Sequence, residues 1–304
     1  MERYSIHSTC KALSGKFTDY INTVYLGKNT NLRDACKDEI GKKGLLFQEP
    51  YIEANPAYLV CNDGINNSES IPNDVKEILG EMINKNLGVF KNPYFHQVEA
   101  LEAFYSGKDL FVATGTGSGK TECFMWPMIS NIVREAKNNA ESWKMRGVRA
   151  IMLYPMNALV SDQVGRLRKM IGDRDGRFQL LFSKLTNNSR IPTFGMYTGR
   201  TPYPGELNYE RSKQLADTLS KDLLNREEEV IEHLVEIGKY PAKHSLEAFV
   251  NDLYENKHTT HELDAELITR HEMQKQCPDI LITNYSMLEY MLVRPIECCG
   301  QAFL

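Results

Sequence analysis

Residues 109–124 read DLFVATGTGSGKTECF: an apolar run, Gly115, Gly117 and Gly119 at alternate positions, Lys120-Thr121, then apolar residues again. Glycine loses more conformational freedom on folding than any other residue, so this spacing implies that something must lie against bare backbone. Phosphate binding has that requirement. Backbone N–H groups at a helix start cradle the anion, a lysine reaches the β- and γ-phosphates, and a hydroxyl takes a place on Mg²⁺. Lys120 and Thr121 are thus the candidate catalytic pair, Thr121 the candidate Mg²⁺ ligand, and ATP with Mg²⁺ the implied cofactors. The strict P-loop pattern has glycine where this chain has Thr114. Upstream, in 93-NPYFHQVEALEAF-105, the Gln97 amide can donate and accept at once, which suits an adenine edge.

Such a loop needs a strand before it and a helix after it, and the flanking residues supply that rhythm. Short apolar runs at 109–114, 148–154, 192–197 and 280–283 predict strands; helices are expected at about 120–137, 158–171 and over SMLEYML (286–292). Near-continuous apolar strands alternating with helices indicate an α/β fold with a parallel sheet covered on both faces. Residues 1–90 read as a helix-rich leader, in which Val75, Ile78, Leu79, Met82, Ile83 and Leu87 share one helical face. Residues 91–304 read as a single lobe, interrupted at about 205–276 by a polar, Glu-rich helical insert. The stretch KKGLLFQEPYIEANPAYLV is expected to be irregular.

The net charge of −4 is unevenly spread. Between Lys144 and Arg200 there are eleven Lys and Arg against three Asp; between Glu206 and Glu272, sixteen acidic residues face eight basic ones. A chain polarised in this way can hold an anion on one side without being basic overall. No run approaches signal-peptide or membrane-span character. Seven scattered cysteines, with no C-x-x-C, fit reduced thiols in a cytoplasmic protein. His258, His261 and His271 lack a further ligand at recognised metal spacing.

The run HQVEALEAFYSGKDLFVATGTGSGKTECF resembles the Q-motif and motif I of superfamily 2 DEAD/DEAH-box helicases. In the same order, 154-YPMNALVSDQ-163 resembles motif Ia, YTGRTP (197–202) the next nucleic-acid motif, and 279-DILITNYSMLEYML-292 the segment leading into motif II. The likeness is greatest to large bacterial helicases of phage-defence islands and the YprA-like group. The resemblance implies a RecA-like lobe with ATP contacts from Gln97, Thr114, Gly115, Thr116, Gly117, Ser118, Gly119, Lys120 and Thr121. It further implies sequence-independent contacts to DNA or RNA phosphates from Pro155, Met156, Asn157, Thr198, Gly199, Arg200, Thr283 and Asn284.

Phosphoryl transfer also needs strand-end carboxylates to hold Mg²⁺ and orient water. The only Asp-Glu dipeptide, Asp38-Glu39, precedes the α/β region, and Asp279 sits before ILIT, at the wrong end of its strand. The expectation is therefore the front part of a helicase. On that reading a second chain or further residues supply motif II and the second lobe. A non-catalytic remnant that binds nucleic acid or a partner is the alternative; a P-loop switch or kinase is disfavoured by the same missing carboxylate.

Overall fold

The computed structural model describes residues 5–28, 30–40, 57–188, 190–202 and 205–293, with 42, 44, 45 and 48 between them. Most of the stretch expected to be irregular, and Cys298-Cys299, lie outside the described residues. The chain divides into two compact units, Met1–Ala57 and Tyr58–Leu304. The first contains α1 (Ile6–Tyr25), capped by Ser5 Oγ on the Ser8 N–H, and α2 (Thr30–Ile40).

In the second unit, helices run α3 (Asn73–Asn84), α4 (Phe95–Tyr105), α5 (Glu122–Asn138), α6 (Ala140–Lys144), α7 (Asn157–Met170), α8 (Arg177–Thr186), α9 (Tyr209–Leu219), α10 (Glu228–Glu236), α11 (Leu246–Tyr254), α12 (Arg270–Lys275) and α13 (Tyr285–Val293). The strands are β1 (Ala150–Tyr154), β2 (Phe194–Tyr197), β3 (Glu266–Leu267) and β4 (Ile280–Asn284). They form one all-parallel sheet in the order β1-β4-β2-β3. Central β4 is buried from Ile280 to Thr283, as its unbroken apolar run demands when helices cover both faces. Tyr154 pairs with Asn284 and Tyr197 with Thr283, so the carboxyl ends of β1, β2 and β4 finish level at one edge.

At the opposite end, the buried Asp279 carboxylate takes Arg149 Nη1 at 2.8 Å and Arg190 Nη2 at 2.7 Å, plus the backbone N–H and hydroxyl of Thr193. That group is fully committed to holding the sheet. The helical face expected near residue 80 is α3, and Val75, Ile78, Leu79 and Met82 pack into the core around α5 and α8. It therefore belongs to the second compact unit although the sequence reading assigns it to the leader.

One expected strand does not form. Residues 109–114 pair with no strand, and Phe111 is 94% exposed. A strand needs a hydrogen-bonding neighbour, and the nearest candidate edge is β1, which pairs only with β4. Between them lies a cleft of about 640 Å³ lined by Leu110, Phe124, Met128, Ile151 and Leu153.

The insert is helical at α9, α10 and α11, then returns to the sheet as β3 and α12. Buried polar groups root it there. Arg168 of α7 grips Glu266 of β3 through two hydrogen bonds, at 2.7 and 2.6 Å. Lys243 is buried against Asp264 and Glu272. Burial alone would lower its pKa, but the two carboxylates reverse this and hold it above the usual lysine range. The insert also crosses α7 backbone to backbone: a Cβ at Gly238 (φ +73°) would sit 2.5 Å from the Gly165 carbonyl oxygen.

Candidate nucleotide and phosphate-binding site

The glycine-rich turn occupies residues 115–121, directly before α5. Gly117 and Gly119 have φ of +78° and +74°, the left-handed region where a side chain is strained. Gly115 is small for another reason: a Cβ there would meet the Tyr58 hydroxyl at 2.5 Å. Lys120 turns back into the loop and donates to the carbonyls of Thr114 (2.7 Å) and Gly115 (2.6 Å). Its charge thus sits at the mouth of the turn, at the positive end of the 17-residue α5. Gly115, Thr116 and Gly117 face solvent.

Helix α4 braces this loop from behind. His96 Nε2 lies 2.8 Å from the Ser118 carbonyl oxygen, and Gln97 Nε2 donates to the Gly119 carbonyl at 3.0 Å. The other end of the Gln97 amide accepts from the Tyr94 N–H at 2.9 Å, so this buried side chain is engaged at both ends within the protein. Ser118 is also turned inward, its hydroxyl 2.6 Å from Thr114 Oγ1. Tyr94 stacks on His96 with Tyr58 edge-on to it, giving an aromatic cluster beside the turn. For Cys123, one step into α5, burial and then Glu122 push the thiol up to about 11, which favours the protonated form.

The three loops leaving β1, β2 and β4 share the carboxyl edge of the sheet. Pro155, Met156, Gly199 and Arg200 are exposed there. Asn284 Nδ2 donates to Asn157 Oδ1 at 2.6 Å, tying the β4 loop to the start of α7. Thr283 and Thr198 are buried. The Thr283 hydroxyl donates to the Tyr197 carbonyl, and Thr198 Oγ1 accepts from the Arg200 N–H. These two side chains therefore build the edge and leave contact to their neighbours. An ion pair between Arg166 of α7 and Glu122 of α5, 2.8 Å, links the helix after the glycine turn to the helix after β1.

Sequence reasoning missed the supporting cast: Tyr58, Tyr94, His96, Glu122 and, behind the β2 loop, Arg270. Tyr58 and Arg270 lie outside the quoted motifs, and no spacing rule points to them. Glu122 and His96 lie inside the quoted motifs, but nothing in their type announces a bracing role.

A family model for DEAD/DEAH box helicases matches residues 94–195, the span that holds α4, the glycine turn, β1 and α7. Residues 94–195 belong to the DEAD/DEAH box helicases. The chain is 38% identical to the Druantia protein DruE of Escherichia coli over 325 aligned positions, covering 97% of this chain and 17% of that protein. It is 31% identical to the uncharacterized ATP-dependent helicase YprA of Bacillus subtilis over 80 residues, 26% of this chain and 9% of the relative. Identity to the ATP-dependent DNA helicase hus2/rqh1 of Schizosaccharomyces pombe is 33% over 96 residues, 31% of this chain and 6% of that one. The chain therefore spans about a sixth of the length of DruE and less than a tenth of YprA and hus2/rqh1. No solved structure matches it. Among the described residues no helix is long and apolar enough to cross a membrane.

Proposed function

We propose that this chain is the nucleotide-binding front lobe of an ATP-dependent helicase or translocase that grips nucleic acid by its backbone. The observation that supports this most is the glycine turn. Left-handed Gly117 and Gly119 present bare backbone at the start of α5, with the Lys120 ammonium held inside the same turn. A triphosphate would be held by the N–H groups of residues 115–121 and by Lys120, displacing the ammonium from its two carbonyls. The Thr121 hydroxyl would hold Mg²⁺, which neutralises charge on the β- and γ-oxygens when bound. Tyr58, Tyr94 and His96 offer flat surface for a base, while Gln97 serves chiefly to fix the turn to α4.

The exposed Pro155, Met156, Gly199 and Arg200 at the carboxyl edge would meet phosphodiester without reading sequence, where parallel sheets bind ligands. Either DNA or RNA fits such contacts. Among the described residues no Asp or Glu stands at the carboxyl end of β1, β2 or β4, and Asp279 is sealed at the far end. On this reading the lobe binds nucleotide, and carboxylates and a second lobe for hydrolysis and movement would have to be supplied from elsewhere.

Titration of a fluorescent ATP analogue with and without Mg²⁺ tests the reading. Saturable binding, strengthened by Mg²⁺ and weakened at least about tenfold by Lys120→Ala (roughly the worth of a charge-assisted hydrogen bond), is the expected result. Equal binding by Lys120→Ala removes the glycine turn from the site.

A further inference from the structure

Arg270, the first residue of α12, is 4% exposed and makes no ion pair among the described residues. Its Nη2 donates to the Thr198 carbonyl at 2.7 Å, and its guanidinium lies over the Tyr197 ring, 4.8 Å from the centroid. Its own N–H donates to the Pro202 carbonyl at 3.2 Å, and its buried Nε has no hydrogen-bond partner. A buried charge is normally paired, because losing its hydration is costly. The neighbouring cations show the rule obeyed: Arg168 has Glu266, Lys243 has two carboxylates, and Arg149 and Arg190 have Asp279. Arg270 alone of this set faces a loop at the ligand edge, with a carbonyl and a ring as its company.

The loop is shaped around it. Thr198 O receives both Arg270 Nη2 and the Thr201 N–H, so this carbonyl points inward. Thr201 Oγ1 takes the Thr198 N–H and donates to the Met196 carbonyl, locking the turn from inside. Exposed Gly199 and Arg200 are left on the outer side. Inward carbonyls, outward backbone and an uncompensated positive charge behind them are the ingredients of an anion-binding concavity.

We propose that Arg270 is a positioning residue for nucleic-acid binding. The insert delivers its charge beneath the Thr198–Pro202 turn, and a backbone phosphate docked on Gly199 and Arg200 supplies the missing counter-charge. This rests on the nucleic-acid reading given above. It makes the insert part of the grip on the strand and assigns a task to a residue outside every helicase-like motif.

The test uses the full chain and a fluorescein-labelled single-stranded oligo-dT, with anisotropy read across a salt series. Arg270→Met keeps the bulk and removes the charge. Binding should weaken about tenfold and the log–log salt slope should fall by about one, while affinity for the ATP analogue stays unchanged. Arg270→Lys restores charge without the fork; it should keep the wild-type slope and recover part of the affinity. A structural role alone would not move the slope. Wild-type affinity and slope in Arg270→Met overturn the proposal, as does an Arg270→Lys variant as weak and as flat in slope as Arg270→Met. If Arg270→Met does not fold, Arg270→Lys decides alone: loss of the wild-type slope in a chain that melts normally sinks the charge assignment. Absence of oligonucleotide binding by the wild-type chain at low salt is a different result, because it overturns the nucleic-acid reading itself.

Discussion

A Cβ added to Gly119 would sit 2.4 Å from Gln97 Nε2 and 3.0 Å from Glu122 Oε2, on a backbone already at φ +74°. Gly119→Ala should thus cost roughly 1–2 kcal/mol for the left-handed conformation alone and push α4 off the turn. Melting of the variant against wild type, together with ATP-analogue titration, checks this; a variant that melts and binds as wild type would show that the turn needs no glycine there. Gly115, Gly117, Gly119 and Lys120 were legible because their types carry the chemistry wherever they point. Gln97 is named from its amide, and Ser118, Thr198 and Thr283 from the resemblance, yet each is turned into the protein. Side-chain direction is set by packing, which a motif does not encode. The same gap hides the burial of Cys123 and the braces on the turn, since both depend on residues brought together only by folding.

Strand β4 could be read from sequence because ILIT has no polar interruption, and β1 and β2 because similar runs bound them. Strand β3 could not: two residues have no periodicity, and its pairing with β2 is accompanied by Arg168 and the Ala242 N–H holding the Glu266 carboxylate. Helix α8 carries Phe178, Leu181, Phe182 and Leu185 on one face and could have been expected from spacing alone. The failure of 109–114 to become a strand follows from its lack of a neighbour, and β1 bears the counterpart: Ile151 and Leu153 are exposed beside an unpaired edge. Such an edge is a template for association. Ile151→Lys with Leu153→Lys should reduce concentration-dependent self-association of the purified chain, seen by sedimentation velocity, without lowering its melting temperature. Unchanged association would mean that the β1 edge is not the sticky surface.

Across the whole molecule, the basic excess of residues 144–200 was legible, but its availability was not. Arg149, Arg166, Arg168, Arg174, Arg177 and Arg190 are each held by a carboxylate of the protein, leaving Arg200 exposed at the ligand edge. Much of that charge stabilises the fold. The insert adds a pH response. His258 is buried between Ser212 Oγ (3.0 Å) and Thr269 Oγ1 (2.9 Å). Burial, then His271, Lys275 and Lys243, lower its pKa from 6.5 to about 4. The unfolded chain takes this proton first, so stability is fully present above pH 6.5 and drains away as pH falls towards 4. His258→Gln should flatten that limb by about 3 kcal/mol between pH 7 and 4, measured by urea unfolding. A slope unchanged by the substitution would assign the acid sensitivity elsewhere. The crossing of Gly165 and Gly238 carries a different kind of consequence. Two main chains that touch there leave no room for a side chain on Gly238 and only a tight fit, 3.2 Å from the Gly238 carbonyl oxygen, for one on Gly165, so the insertion and its host helix can drift only in concert. Transplanting this cassette onto a related scaffold would require a recipient helix already bare at the matching position.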